Sequence, residues 1–141
     1  MKTVCSVQAR LGSTRLPGKV LYNLGDKRVV DWVVKRGRAS PMIDETVVAV
    51  GDAPENDAII QFCERSEIPY EQGPEDDLVE RHANVIDVTG CDVLCRVTGD
   101  CPFVPPTELS RVVTEHQNND AAYKTNYSSE MPLGTAVDVL D

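Results

Sequence analysis

Between Gln8 and Val20 the chain sets Arg10, Ser13, Arg15 and Lys19 around Gly12 and Gly18, directly after the short apolar run from Val4 to Val7. Glycine lets backbone N–H groups approach an anion closely, and successive N–H groups form anion-binding concavities. Guanidinium and ammonium groups add charge-assisted hydrogen bonds suited to phosphate oxygens. A polyphosphate is the guest such a loop suits. Spacing excludes two better-known phosphate loops. A Walker loop needs Gly, four residues, Gly-Lys and then Ser or Thr; here five residues separate Gly12 from Gly18, and Val20 follows Lys19. The dinucleotide fingerprint needs three glycines opening a helix directly, and here Pro17 interrupts. The plain alternative is a surface turn with solvated cations. Three cations and two glycines straight after an N-terminal strand weigh against it.

The next carboxylate of interest is Asp100, which follows Thr98 and Gly99 at the end of another apolar run. A lone Asp at a strand end is commonly a turn or cap residue. Asp52, after Val50 and Gly51, stands where a helix cap before Pro54 would be. Asp77 and Arg81 lie four apart, the spacing of an ion pair along a helix. Arg96 projects from a strand and suits pairing with an acidic neighbour. His82 reads as a helix-face residue rather than a base.

The elements that must position these residues alternate. Residues 3–8, 46–50 and 92–97 read as strands, with a short strand near Pro69 and Tyr70 and another over 121–124. Apolar spacing predicts helices over 29–39, 55–66, 76–89 and 107–118, the last introduced by Pro105 and Pro106. Uninterrupted apolar strands between helices predict a three-layer α/β fold, a mostly parallel sheet flanked by helices on both faces. Such sheets bind ligands beyond the carboxyl ends of their strands. The distinctive loops 8–19, 51–55 and 98–105 all fall there.

At 141 residues one domain is expected. The net charge of −9 disfavours a nucleic-acid partner, which would need a basic surface, and makes a cationic cluster at 10–19 more notable. No apolar run approaches the length of a membrane span, and no basic-then-apolar leader opens the chain, so no membrane partner and a cytoplasmic location are expected. The five cysteines (5, 63, 91, 95 and 101) contain no Cys-x-x-Cys pair and read as reduced thiols.

Three segments carry a resemblance. The run Gln8-Ala-Arg-Leu-Gly-Ser-Thr-Arg-Leu-Pro-Gly-Lys-Val-Leu21 resembles the N-terminal signature of the cytidylyltransferases related to CMP-Kdo synthetase and acylneuraminate cytidylyltransferase, in the branch named after the spore coat polysaccharide biosynthesis protein F. Arg96-Val-Thr-Gly-Asp-Cys-Pro102 and Glu75-Asp-Asp-Leu-Val-Glu-Arg81 follow in the family's order. The resemblance implies a nucleotidyltransferase, or glycosyltransferase-A-like, fold. It implies attack by a sugar-acid hydroxyl on the α-phosphorus of CTP with release of pyrophosphate, for surface polysaccharide or glycan synthesis. Arg10, Lys19 and Asp100 would be the catalytic residues, with Asp100 the ligand of Mg2+. Ala9, Arg10, Leu11, Gly12, Ser13, Arg15 and Lys19 would hold the nucleotide, with backbone N–H groups near Leu11 and Gly12 helping. Asp52, Asp77, Arg81, Thr98 and Gly99 would complete its pocket. Thr98 stands where better-understood relatives carry Gln, and a hydroxyl offers fewer base-edge contacts than an amide.

The stretch Met131-Pro-Leu-Gly-Thr-Ala-Val-Asp-Val-Leu-Asp141 reads as a loop entering a strand. In the family the chain continues further, into parts that help to build the acceptor site, a second metal carboxylate and a homodimer contact. Residues 1–141 are therefore expected to form one nucleotidyltransferase domain without that part, leaving a sheet strand unpaired at the truncated edge.

Overall fold

The alternation of apolar strands and amphipathic helices produces one mixed sheet with helices on both faces. The protein's computed structural model describes residues 1–128 and 130–141. In chain order the elements are β1 (Thr3–Ala9), β2 (Asn23–Leu24), β3 (Lys27–Arg28), α1 (Val29–Arg38), β4 (Glu45–Gly51), α2 (Asp57–Arg65), β5 (Tyr70–Gly73), α3 (Leu78–Thr89), β6 (Val93–Thr98), α4 (Pro106–Gln117), β7 (Tyr123–Thr125) and β8 (Asp138–Leu140). Short 3-10 turns occupy Lys19–Leu21 and Pro54–Asn56.

The sheet order is β5-β4-β1-β6-β8-β7. Strands β5, β4, β1 and β6 run parallel, while β8 lies antiparallel to both β6 and β7. One face packs Val7, Val48, Val50 and Val97 against Val33 and Val34 of α1, Ile59 of α2 and Leu109 and Val113 of α4. The other packs Val4, Val47, Ala49 and Leu94 against Val85 of α3. Burial on both faces explains why β4 reads as a continuous apolar run rather than an alternating one. Each buried valine contributes about 1.5–3 kcal/mol from removal of its side chain from water.

The expected three-layer architecture is present. Several local expectations change. The helix expected from residue 55 begins at Asp57, after the 3-10 turn. The helix expected from residue 76 begins at Leu78, because Asp77 is its N-cap and accepts from Glu80 N at 2.9 Å. The tight hairpin of β2 and β3, turning at Gly25 with φ of 68°, has too few residues to show a strand period. The last strand is not an unpaired edge: β8 inserts between β6 and β7, and the sheet edges are β5 and β7.

The parallel register determines where function can sit. Ala9 pairs with Val50 and Gln8 with Thr98, so the carboxyl ends of β1, β4 and β6 lie side by side. Their three loops therefore converge on one edge of the sheet.

Candidate functional site

The loop after β1 closes on itself before it meets any ligand. The Leu11 carbonyl accepts from Ser13 N at 2.8 Å and from Gly18 N at 3.0 Å. Gly18 has φ of 73°, a conformation that disfavours a side chain, and opens the 3-10 turn that carries Lys19. Ser13 Oγ accepts from Leu16 N at 3.4 Å. Among the described residues, the amides of Gly12, Thr14 and Arg15 donate to no group of the protein. The Leu11 amide, expected to face an anion, instead donates to Asn56 Oδ1 at 2.8 Å. Leu11 thus contributes the shape of the loop rather than a free N–H.

A cavity of about 220 Å³ lies at the mouth of this loop, lined by Arg10, Ser13, Arg15 and Lys19 from the loop and by Thr98 and Asp100 from the end of β6. The structure so brings together six of the residues singled out from the sequence. Gln8 and Thr14 also line it. Three cations against one carboxylate make the cavity a local positive site in a chain of net charge −9. Lys19 Nζ stands 2.6 Å from Asp100 Oδ2, and both side chains are partly exposed. The neighbouring Cys101 thiol is pushed up to about 11, first by burial and then by the Asp100 charge, and so remains a thiol at neutral pH.

Gly99 leaves no room for a side chain. A Cβ there would lie 2.7 Å from the Gln8 carbonyl oxygen, which accepts from Gly99 N. The close approach is of the β1 backbone to β6, and it brings Asp100 alongside the first loop. Ala9, at the end of β1, is buried and offers only its backbone.

The remaining expected residues lie behind the loop rather than in the cavity. Asp52 does not cap a helix; its Oδ1 accepts from Glu75 N at 2.9 Å. Asp77 and Arg81 do not pair along α3, because Asp77 faces its own helix N-terminus. Arg81 turns inward to 1% exposure. It donates from Nε to the Pro74 carbonyl at 2.9 Å and from Nη2 to the Glu75 carbonyl at 2.5 Å. Burial pulls its affinity for protons below the usual arginine value, and the Glu75 carboxylate opposes that pull. Glu75 also stands 4.0 Å from Arg10 Nη1.

Asn56 receives no reading from the sequence, and Gln8 and Glu75 enter there only as members of matched segments, with no role assigned. Gln8 accepts from Arg96 Nη2 at 2.9 Å, and Arg96 Nη1 donates to Asp138 Oδ2 at 2.5 Å, the acidic partner expected for Arg96. Asn56 and Glu75 carry no spacing signal of their own. Their trace in the sequence is Gly51, where a Cβ would fall 1.7 Å from Glu75 Oε2. His82 faces the sheet, with Nδ1 2.7 Å from Ser6 Oγ. Burial, and then the charges of Arg96 and Arg81, lower its pKa to about 4.

The arrangement can hold several phosphate oxygens at once, by side-chain cations and by free amides, with one carboxylate beside them. Among the described residues no cluster of three His, Cys, Asp or Glu side chains stands ready for a metal ion. Mg2+ fits such a site because it takes one or two carboxylates together with phosphate oxygens and waters. No helix among the described residues is long and apolar enough to cross a membrane. All five cysteines are free.

The chain is 35% identical over 139 residues to the spore coat polysaccharide biosynthesis protein SpsF of Bacillus subtilis, covering 96% of this chain and 57% of that protein. It is 29% identical over 124 residues to the 3-deoxy-manno-octulosonate cytidylyltransferase of Geobacter sulfurreducens, covering 86% of this chain and 48% of the relative. The structure superposes on a cytidylyltransferase from Leptospira borgpetersenii with a TM-score of 0.91 at 26% identity, over 99% of this chain and 60% of that one. This chain thus spans about half to three fifths of the length of these proteins. The sequence profile described as cytidylyltransferase matches residues 4–138, and the chain belongs to the cytidylyltransferase family.

Proposed function

We propose that this chain holds the nucleotide-donor site of an enzyme that transfers CMP from CTP to a sugar acid, releasing pyrophosphate, for surface polysaccharide or glycan synthesis. The observation that carries this reading is the convergence of Arg10, Ser13, Arg15, Lys19, Thr98 and Asp100 on one cavity at the carboxyl ends of β1 and β6. It is supported by membership of the family and by the names of the relatives.

Arg10, Arg15 and Lys19 hold the triphosphate, with Ser13 and the amides of Gly12, Thr14 and Arg15 completing its cradle. Lys19 and Arg10 balance the charge that builds on the departing pyrophosphate, which is where such sites act on the transition state. Asp100 is the residue that would hold Mg2+ beside the triphosphate. When bound, the metal neutralises phosphate charge and polarises the phosphorus for attack. Lys19 leaves Asp100 for the phosphates as the nucleotide enters. Ala9, Leu11, Asp52, Asp77, Arg81 and Gly99 belong to the same site through the backbone and the supporting shell. Thr98 faces the cavity from β6, where its short hydroxyl favours a second reading, a sugar nucleotidyltransferase that uses a different base.

Residues 1–141 form one nucleotidyltransferase domain, with the acceptor site and a homodimer contact outside it. The setting is cytoplasmic, where CTP is available and free thiols persist.

Calorimetric titration with CTP, UTP, GTP and ATP in the presence of Mg2+ tests the proposal. CTP is expected to bind most tightly. Tighter binding of another triphosphate overturns the choice of base, and binding of none overturns the site. Because the acceptor site is proposed to lie outside these residues, this chain is expected to bind CTP but to turn it over poorly or not at all; robust pyrophosphate release dependent on 3-deoxy or nonulosonic sugar acids overturns that placement.

A further inference from the structure

Asn56 is a polar side chain with no exposed surface, and it does not line the cavity. Its amide is fully engaged. Oδ1 accepts from Leu11 N at 2.8 Å, and Nδ2 donates to the Gly51 carbonyl at 3.0 Å and to Glu75 Oε2 at 2.7 Å. Chemistry settles this orientation: the Leu11 amide can only donate, and the Gly51 carbonyl and Glu75 carboxylate can only accept. One side chain therefore ties the loop after β1 to the end of β4 and to the turn before α3. Glu75 is held in its turn by Asp52, which accepts from Glu75 N, and by the nearby guanidinium of Arg81, 3.9 Å from Oε2.

The consequence falls on the loop. The N–H of Leu11 is drawn inward by Asn56, while its carbonyl is drawn the other way by Ser13 and Gly18. The peptides on both sides of Leu11 are thereby held, and the free amides of Gly12, Thr14 and Arg15 follow directly from them. Amides held in place before binding meet an anion with little ordering cost at the moment of binding. Without Asn56 the Leu11 N–H must find water, and the loop has to be ordered by the ligand itself.

We infer that Asn56, oriented by Glu75, is a positioning residue for the triphosphate loop. It touches neither nucleotide nor metal and acts by setting the Leu11–Gly12 backbone. The inference rests on the triphosphate reading of the cavity.

Inorganic tripolyphosphate probes the loop alone, and cytidine probes the rest of the nucleotide site. Both are titrated against the whole chain as the parent, Asn56→Ala and Asn56→Asp, with thermal midpoints recorded. Asn56→Ala is expected to weaken tripolyphosphate about tenfold or more and cytidine by less than about twofold, the loss of a buried hydrogen-bond anchor acting on one ligand only. Asn56→Asp keeps the acceptor for Leu11 but turns an oxygen toward Glu75 and the Gly51 carbonyl. It holds the loop best with that carboxyl protonated, so its tripolyphosphate affinity relative to the parent should rise as pH falls. A purely structural role predicts equal losses for both ligands. Equal losses, or tripolyphosphate binding unchanged in folded Asn56→Ala, overturn the inference. Hydrogen exchange at the Leu11 amide gives a ligand-free readout: slow in the parent and fast in Asn56→Ala. Fast exchange in the parent also overturns it. A parent that binds cytidine but no tripolyphosphate removes the triphosphate reading itself, and this inference with it.

Discussion

Replacing Asp100 by Asn should change CTP binding in opposite directions with and without Mg2+. The substitution keeps the side chain's shape and removes one negative charge from a cavity that otherwise holds three cations. In the free protein that charge is paired with Lys19 at 2.6 Å. A pair this exposed is worth at most about 1 kcal/mol, so Asp100→Asn should lower the thermal midpoint by no more than about 2–4 °C. In a chelator, two effects favour the variant. Lys19 is released to meet the triphosphate, and a like charge roughly 5 Å from it is removed, worth about 0.8 kcal/mol in near-water dielectric before salt screening. Together they should tighten metal-free CTP by about 0.5–1.5 kcal/mol, or about two- to tenfold. With saturating Mg2+ the order reverses, because the parent gains a ligand for the metal and the variant does not. Calorimetric titration of both proteins in chelator and in Mg2+ reads all four affinities. Undiminished tightening by Mg2+ in Asp100→Asn refutes the assignment of Asp100 as ligand. Weaker binding of the variant in chelator refutes the competition of Lys19 between carboxylate and phosphate.

The other expectations follow from the same geometry. Lys19→Ala and Arg10→Ala should each weaken CTP by about 1–3 kcal/mol, with a smaller effect on CMP, as titration would show. Gly99→Ala drives a methyl group to 2.7 Å from the Gln8 carbonyl. It should destabilise the fold by about 1–3 kcal/mol, measured by denaturant unfolding. His82 gives a pH dependence. Its folded pKa of about 4 lies below its usual 6.5, so the unfolded chain takes up the proton first, and stability falls as pH drops from 6.5 through 4. The loss reaches about 3 kcal/mol over that window. His82→Gln should flatten this part of the stability profile; an unchanged slope would show that His82 is not the group responsible.

Much of the fold was legible because its signals are local. Apolar runs such as Val47 to Val50 and the helical spacing of Val30, Val33 and Val34 report burial on a strand or on one helix face, and burial is what shapes them. The phosphate loop was legible for a related reason: Arg10, Ser13, Arg15 and Lys19 are contiguous in sequence, so proximity required no folding to infer. That Asp100 joins them followed from placing loops 8–19 and 98–105 beyond the carboxyl ends of parallel strands, while its role came from the resemblance; the register of β1 and β6 supplies the physical cause of the placement.

What the chain order could not disclose was partnership over distance. The insertion of β8 between β6 and β7 depends on pairing between strands far apart in sequence. The spacing of Asp77 and Arg81 suggested a surface pair, but the start of α3 one residue after Asp77 made that aspartate a cap and sent Arg81 inward to Glu75. Gly99 and Gly51 were visible as glycines, yet only the packed structure shows what each makes room for: the Gln8 carbonyl in one case and the Glu75 carboxylate in the other. The sequence by itself determined the layers, the loop and its positive charge. Tertiary structure decided which amides stay free for an anion, because a hydrogen bond such as that from Leu11 to the buried Asn56 exists only after three separate segments have met.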